Sequence, residues 1–228
     1  MALEAVIFDK DGVLVDSEQG KCRAMERALA SFGYRGIDRF NDWFFSRVGV
    51  PGLESSQRCV SRFSLSVDPK ALYDKTEEIR RGMLDTEPAP LIPSSIAFLK
   101  AIHSTFRNVK IGIASSDFPK NIRKHMEQAG VLEYVDAMTS GEKSSGEVTR
   151  DKPHPDVYLV TAKKLGVNPR FCIGVEDTAL GIQAVKAAGM YCIAYMNPNS
   201  GRQDYSQADK VADDLSKITL REIVSAFI

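Results

Sequence analysis

Asp9 and Asp11 stand one residue apart at the end of a short apolar run, AVIF, and lead directly into Gly12, with Asp16 close behind. In an extended chain a period of two lets both carboxylates project to one side. Two like charges so close need a proton, a cation or a lysine to offset them, so the pair predicts a counter-charge elsewhere in the chain. Three further groups have suitable types. Ser115, Ser116 and Asp117 follow the run KIGIA, Lys152 lies in DKPHPD, and Glu176 and Asp177 follow FCIGV. Together they would supply carboxylates for a hard cation, hydroxyls and a helix N-terminus for a phosphate, and one lysine as counter-charge. Each group alone has a plain structural explanation: turn residues after a strand, a helix cap, a solvated loop charge, acids at a helix start. What points to chemistry is their joint arrival at one edge of a sheet.

That edge follows from the elements. Ala5 to Phe8 has the length and pattern of a buried strand. Ser17 is a plausible N-cap for a helix carrying Cys22, Met25, Leu29 and Phe32 at helical spacing and stopped by Gly33. An irregular stretch rich in aromatics (Trp43, Phe44, Phe45) reads as core; Trp43 and Arg47 are equally compatible with facing a site entrance. Leu53, Val60 and Phe63 mark another helix, and Asp68-Pro69 starts one more, with Leu72, Ile79 and Met83 on its buried face. After EPAPLIPSS, punctuated by Pro88, Pro90 and Pro93, strands and helices alternate: KIGIASS, a helix from Pro119, a short strand over 137–139, a helix from Asp156 to Leu165, FCIGVED, a helix ending at Gly189, and CIAYM. Such alternation predicts an α/β fold, a doubly wound parallel sheet with helices on both faces. Residues 1–15 and 90–228 are expected to form this Rossmann-like core, and residues 16–89 an inserted helical cap domain. In such sheets ligands bind outside the carboxyl ends of the strands, where all the groups above fall.

Composition narrows the classes. Lys and Arg number 30 against 30 Asp and Glu, so no global field draws the chain to nucleic acid or an anionic membrane. The four cysteines, Cys22, Cys59, Cys172 and Cys192, form no CxxC, which excludes a written zinc ribbon or thioredoxin-like site. With no signal-peptide pattern and no apolar run long enough to span a bilayer, a soluble, cytoplasmic protein is expected. Its oligomeric state is not written in the composition.

FDKDGVLVDSE, ASS, DKPHPD and GVEDTALGIQAVKAAGM, in this order and spacing, resemble the four motifs of the haloacid dehalogenase superfamily, in the branch with a helical cap inserted after the first motif. The resemblance spans nearly the whole chain. It implies that Asp9 is the nucleophile that takes a phosphoryl group, and that Asp11 protonates the leaving oxygen and then activates water. Ser115, Ser116 and Lys152 would hold the phosphate. Asp9, the carbonyl of Asp11, and Asp177 with help from Glu176 would hold Mg2+, whose preference for oxygen ligands suits these residues better than the scattered His103, His125 and His154.

The implied function is a Mg2+-dependent phosphatase acting on a small phosphorylated metabolite through an aspartyl-phosphate. A sugar-phosphate mutase of the β-phosphoglucomutase type shares all four motifs. Relatives of that type carry a histidine five residues after the Asp16 position, where this chain has Lys21, and a basic residue after the cap glycine that GVPGLESS lacks; both departures weigh against it. A dehalogenase normally lacks the second aspartate. A phospho-aspartate switch would leave the helical insertion unexplained, and intact motifs weigh against a non-catalytic binding relative.

Overall fold

The computed structural model describes residues 3–219 and 222–223. Among the described residues six strands, β1 (Ala5–Phe8), β2 (Lys110–Ser115), β3 (Ala137–Ser140), β4 (Cys172–Glu176), β5 (Tyr191–Tyr195) and β6 (Lys210–Ala212), form one sheet in the order β3-β2-β1-β4-β5-β6. All five pairings are parallel, as the alternation of strand and helix predicts. Parallel strands need crossovers, and α5 (Pro93–Thr105), α6 (Pro119–Gln128), α7 (Asp156–Leu165) and α8 (Ala179–Ala187) provide them.

The residues of β1 explain its central place. Val6 and Phe8 enter one apolar layer with Ile111, Ile113, Leu99 and Ile102, while Ala5 and Ile7 enter the opposite layer with Tyr158, Ala162, Ile182 and Val185. A strand buried on both faces must be apolar throughout. Strand order reverses beside β1, so a crevice opens at its carboxyl end. The register pairs Phe8 with Ile113 on one side and Val175 on the other; Asp9 and Glu176 therefore leave their strands at the same level.

Between β1 and β2 the chain forms α1 (Glu18–Ser31), α2 (Phe40–Phe45), α3 (Gly52–Arg62) and α4 (Pro69–Thr86). They share an apolar cluster of their own, built on Cys22, Met25, Leu29, Phe40, Cys59 and Leu72 with Trp43 and Phe63 against it. The chain enters and leaves this helical layer at one point: Asp16 N–H donates to the Pro90 carbonyl at 2.7 Å, Ile92 N–H to the Leu14 carbonyl at 3.0 Å, and Val15 bridges Leu91. Asp68 caps α4 through the Ala71 N–H, with Pro69 in the first turn, as expected.

Three details differ from the sequence expectation. The aromatic stretch contains a short helix, α2, whose Phe40 buries against Trp43, Phe44 and Phe63. β6 is a three-residue edge strand, too short to leave a periodic signal. Ser17 occupies the N-cap position of α1 but makes no capping bond; its hydroxyl donates to Asp11 instead. Among the described residues no helix is long and apolar enough to cross a membrane.

Candidate active site

Asp9 leaves β1 with its N–H bonded to the Val175 carbonyl at 2.9 Å, which fixes the backbone beneath a carboxylate only 5 % exposed. Lys152 reaches it from the loop before α7: Nζ donates to Asp9 Oδ1 and to Glu176 Oε1, both at 2.6 Å. Glu176 has no acceptor to spare. Its Oε1 also accepts from the Tyr158 hydroxyl at 3.1 Å, and its Oε2 from the N–H groups of Asp177 and Thr178 and the Thr178 hydroxyl. Asp177 is different: Oδ2 accepts from the Ser200 hydroxyl, but Oδ1 is buried without a partner.

Asp9, Glu176 and Asp177 each bring an oxygen within 4.8 Å of the others, and Lys152 is paired with the first two. Burial, reinforced by Glu176 and Asp11 and opposed by Lys152, pushes the Asp9 carboxyl up to about 7. Burial, with Glu176 and Asp9, drives Asp177 well above the carboxylate range. A set of hard oxygen donors with excess negative charge and an orphaned oxygen fits a divalent cation of the Mg2+ kind. Gly12, at a φ of +77°, keeps this space open, because a Cβ there would overlap the Asp177 carboxylate.

The Asp11 carboxylate does not join that cluster. Its Oδ1 accepts from Lys10 Nζ at 2.9 Å and from the Ser17 hydroxyl and forms an ion pair with Lys21 Nζ at 3.4 Å; Oδ2 faces the Ser115 hydroxyl at 3.4 Å. Burial opposes its ionisation, but Lys10, Lys21 and Ser17 outweigh it and hold the group well below the usual range. Ser115 is fully buried and its Oγ accepts from the Asp117 N–H at 3.1 Å.

A cavity of about 190 Å3 lies over these groups. Its floor includes Asp9, Asp11, Ser116, Lys152, Glu176 and Asp177, and its roof includes Phe44, Arg47, Tyr73 and Arg80 from the helical layer. Arg47 lies over the Trp43 ring at 5.3 Å, with Nε and Nη2 buried and unpartnered. The loop after β5 closes one side: Asn197 Nδ2 donates to the Gly12 carbonyl at 2.9 Å and Asn199 Nδ2 to Asp16 Oδ2 at 2.6 Å.

All the sequence-predicted site residues thus converge at the carboxyl edge of the sheet. Sequence reasoning missed Lys10, Arg80, Tyr158 and Ser200, and it named Asp117 at the end of its strand without giving it a role. Lys10, a cation between two acids in DKD, carried a signal; the others sit in helices or loops where such residues are ordinary.

Residues 3–189 match the family model for haloacid dehalogenase-like hydrolases. Fructose-1-phosphate phosphatase YqaB of Escherichia coli is 32% identical over 188 residues, covering 81% of this chain and 92% of its own length. Hexitol phosphatase B of the same organism is 30% identical over 237 residues, covering 96% of each. Among solved structures, β-phosphoglucomutase from Clostridium difficile superposes with a TM-score of 0.77 at 26% identity, covering 98% of this chain and 96% of its own. CbbY from Rhodobacter sphaeroides, in complex with phosphate, gives 0.80 at 21% identity, covering 97% of this chain and 99% of its own, a likeness of fold. The chain belongs to the haloacid dehalogenase-like hydrolases, and it is a phosphatase of that family.

Proposed function

We propose that the protein hydrolyses the phosphate monoester of a small sugar or related polyol through a phosphoryl group carried on Asp9. The observation that carries this reading is the Asp9 carboxylate held at a strand end by Lys152, beside acids left short of positive charge. The names of the phosphatase relatives support a sugar-like substrate. Residues 16–89 act as a cap whose closure over the cavity excludes water from the transfer. The unpartnered guanidinium edge of Arg47 favours a substrate with a polar group at the end away from the phosphate.

Asp9, Asp177 and the backbone carbonyl of Asp11 would hold Mg2+, with Glu176 steadying Lys152 rather than competing for the ion. When bound, Mg2+ supplies compensation for the charge dispersed over a phosphoryl group in transfer. An Asp9 oxygen attacks phosphorus, the ester P–O bond breaks, and the leaving oxygen takes a proton from Asp11. The donors around Asp11 keep it ionised at rest, so it must first gain that proton, which a monoester arriving as its monoanion carries in. Water then attacks the acyl phosphate and gives its proton to Asp11, and Asp9 departs as a carboxylate with release of phosphate. Lys152, and Ser115 and Ser116 with their backbone, position the phosphate oxygens throughout.

Lys21 stands where mutases of this type carry histidine, and it is bonded to Glu18 at 2.6 Å; exchange between two sugar hydroxyls is the weaker reading. A panel of sugar and polyol phosphates assayed with Mg2+ should give steady phosphate release, lost on complete chelation. Asp9→Asn should form no phosphoenzyme, since an amide is a poor nucleophile. Asp11→Asn should lose roughly a hundred- to ten-thousandfold in rate yet still label Asp9 from an activated ester. Label on any other residue, or turnover that survives chelation, would overturn the assignment.

A further inference from the structure

Lys10 is fully buried, and a buried ammonium is costly unless each of its protons finds an acceptor. Its Nζ meets Asp11 Oδ1 at 2.9 Å, Asp117 Oδ2 at 2.8 Å and His125 Nδ1 at 3.2 Å. For His125 to accept at Nδ1, its ring must be neutral with the proton on Nε2. Burial and the Lys10 charge hold it neutral, lowering the imidazole to about 4.

Asp117 links this ammonium to the helical layer. Its Oδ2 accepts from Lys10 and from Arg80 Nη1 at 3.1 Å, and its Oδ1 accepts from Arg80 Nη2 at 2.5 Å, Asn121 Nδ2 at 2.7 Å and the Phe118 N–H at 2.7 Å. The pair is bidentate and joins α4 to the loop after β2. Arg80 is aimed from behind by Glu77, which accepts from Nε at 3.1 Å and from Nη2 at 2.7 Å. An unbroken run of charge-assisted bonds therefore leads from α4 to Asp11.

We infer that Lys10 is a positioning residue that sets the orientation of the Asp11 carboxylate, and that Arg80, acting through Asp117, holds Lys10 in place to do so. The inference rests on the reading of Asp11 as the proton carrier. Stability alone does not explain the arrangement, because buried ion pairs replaced by apolar side chains often leave a protein as stable or more so. It is the third bond of Lys10, made to a carboxylate in the floor of the cavity, that points to chemistry. Without Arg80 the Asp117 carboxylate would lack its strongest partner and draw Lys10 towards itself. Asp11 would then turn freely between Ser17, Ser115 and Lys21. Seating of α4 on the sheet and the aim of Asp11 become one event.

The test separates steps by leaving group. p-Nitrophenyl phosphate needs no protonation of its leaving oxygen, and the burst of nitrophenolate reports the first step alone; an alkyl phosphate needs the proton. Lys10→Met and Arg80→Ala should reduce turnover of the alkyl ester about tenfold to a hundredfold, the scale of a misplaced catalytic group. The nitrophenolate burst rate should stay near that of the unaltered protein. Arg80→Lys should restore part of the loss, and Arg80→Ala should cost nothing further in the Asp11→Asn background. Thermal melts identify any variant that fails to fold, and Asp117→Asn interrupts the same run from the sheet side. Equal losses on both esters, or an additive loss with Asp11→Asn, would overturn the inference. If Asp11→Asn itself shows no dependence on leaving group, the proton-carrier reading falls and the inference with it; if Asp11→Asn shows that dependence and the Lys10 and Arg80 variants do not, only the positioning role falls.

Discussion

Glu176 and Asp177 are neighbours in the chain with opposite situations. The first accepts from five donors, Lys152, Tyr158, two backbone N–H groups and the Thr178 hydroxyl, and the second keeps one oxygen unpartnered. His125 shows the same dependence on surroundings. Its ring is 1 % exposed and held neutral beside Lys10, its pKa lowered from 6.5 to about 4. The unfolded chain therefore binds the proton more readily between those values, and the stability due to this site, complete above about 6.5, falls as the solution is acidified towards 4. Moving from about pH 7.5 to pH 5 should remove about 1–2 kcal/mol through this residue. His125→Asn, which keeps an acceptor for Lys10 and cannot titrate, should show a smaller drop in Tm over that range; an unchanged drop would exclude His125 as its source. None of this could be read from His125 itself, one of three scattered histidines. Asp9, Lys152 and Asp177 were legible because each follows or precedes a regular element at a fixed spacing. The Lys10–Asp117 bond spans 107 residues, and no local pattern encodes a partner so distant.

At the scale of elements, the first turn of α8 is shaped around Glu176. A Cβ on Gly181 would overlap the Glu176 carboxylate, so glycine is needed here despite its low helix propensity. Gly181→Ala would gain about 1 kcal/mol of intrinsic helix preference and would force Glu176 off its donors and away from Lys152. The expected result is a lower Tm together with at least a tenfold loss of turnover, on the scale of a misplaced catalytic group. A variant with raised Tm and full turnover would show that the helix does not constrain the acid. β1, β2, β4 and β5 were legible because burial on both faces makes their centres apolar, and acids, serines or an Asn-Pro pair close them. α2 was not, since Trp43, Phe44 and Phe45 satisfy a packed cluster without helical periodicity. β6 is three residues at a sheet edge, where hydrogen bonds to β5 rather than side-chain pattern define the strand.

At the scale of the molecule, the unbalanced acids of the site weaken the fold that holds them. A cation bound only by the folded chain stabilises it by mass action, about 2.7 kcal/mol at a hundredfold excess over Kd. Saturating Mg2+ should therefore raise Tm by several degrees, and Asp177→Asn should abolish most of that rise by removing both an unpartnered ligand oxygen and a repelling charge. A rise of equal size in the variant would place the ion elsewhere. The crossing where Asp16 bonds Pro90 and Ile92 bonds Leu14 has a different consequence, for the order in which the chain assembles. β1 must find β2 across about a hundred residues, from Phe8 to Lys110. If α1 packs along α4 first, as their contact in the finished fold allows, the two ends of the insertion arrive side by side. The search for the parallel pair then resembles closure of a loop of about thirty residues, and the entropic cost falls by about 1 kcal/mol. The helices that roof the cavity would in this way act as a template for the sheet beneath them, shortening the longest-range step in its formation before any substrate is met.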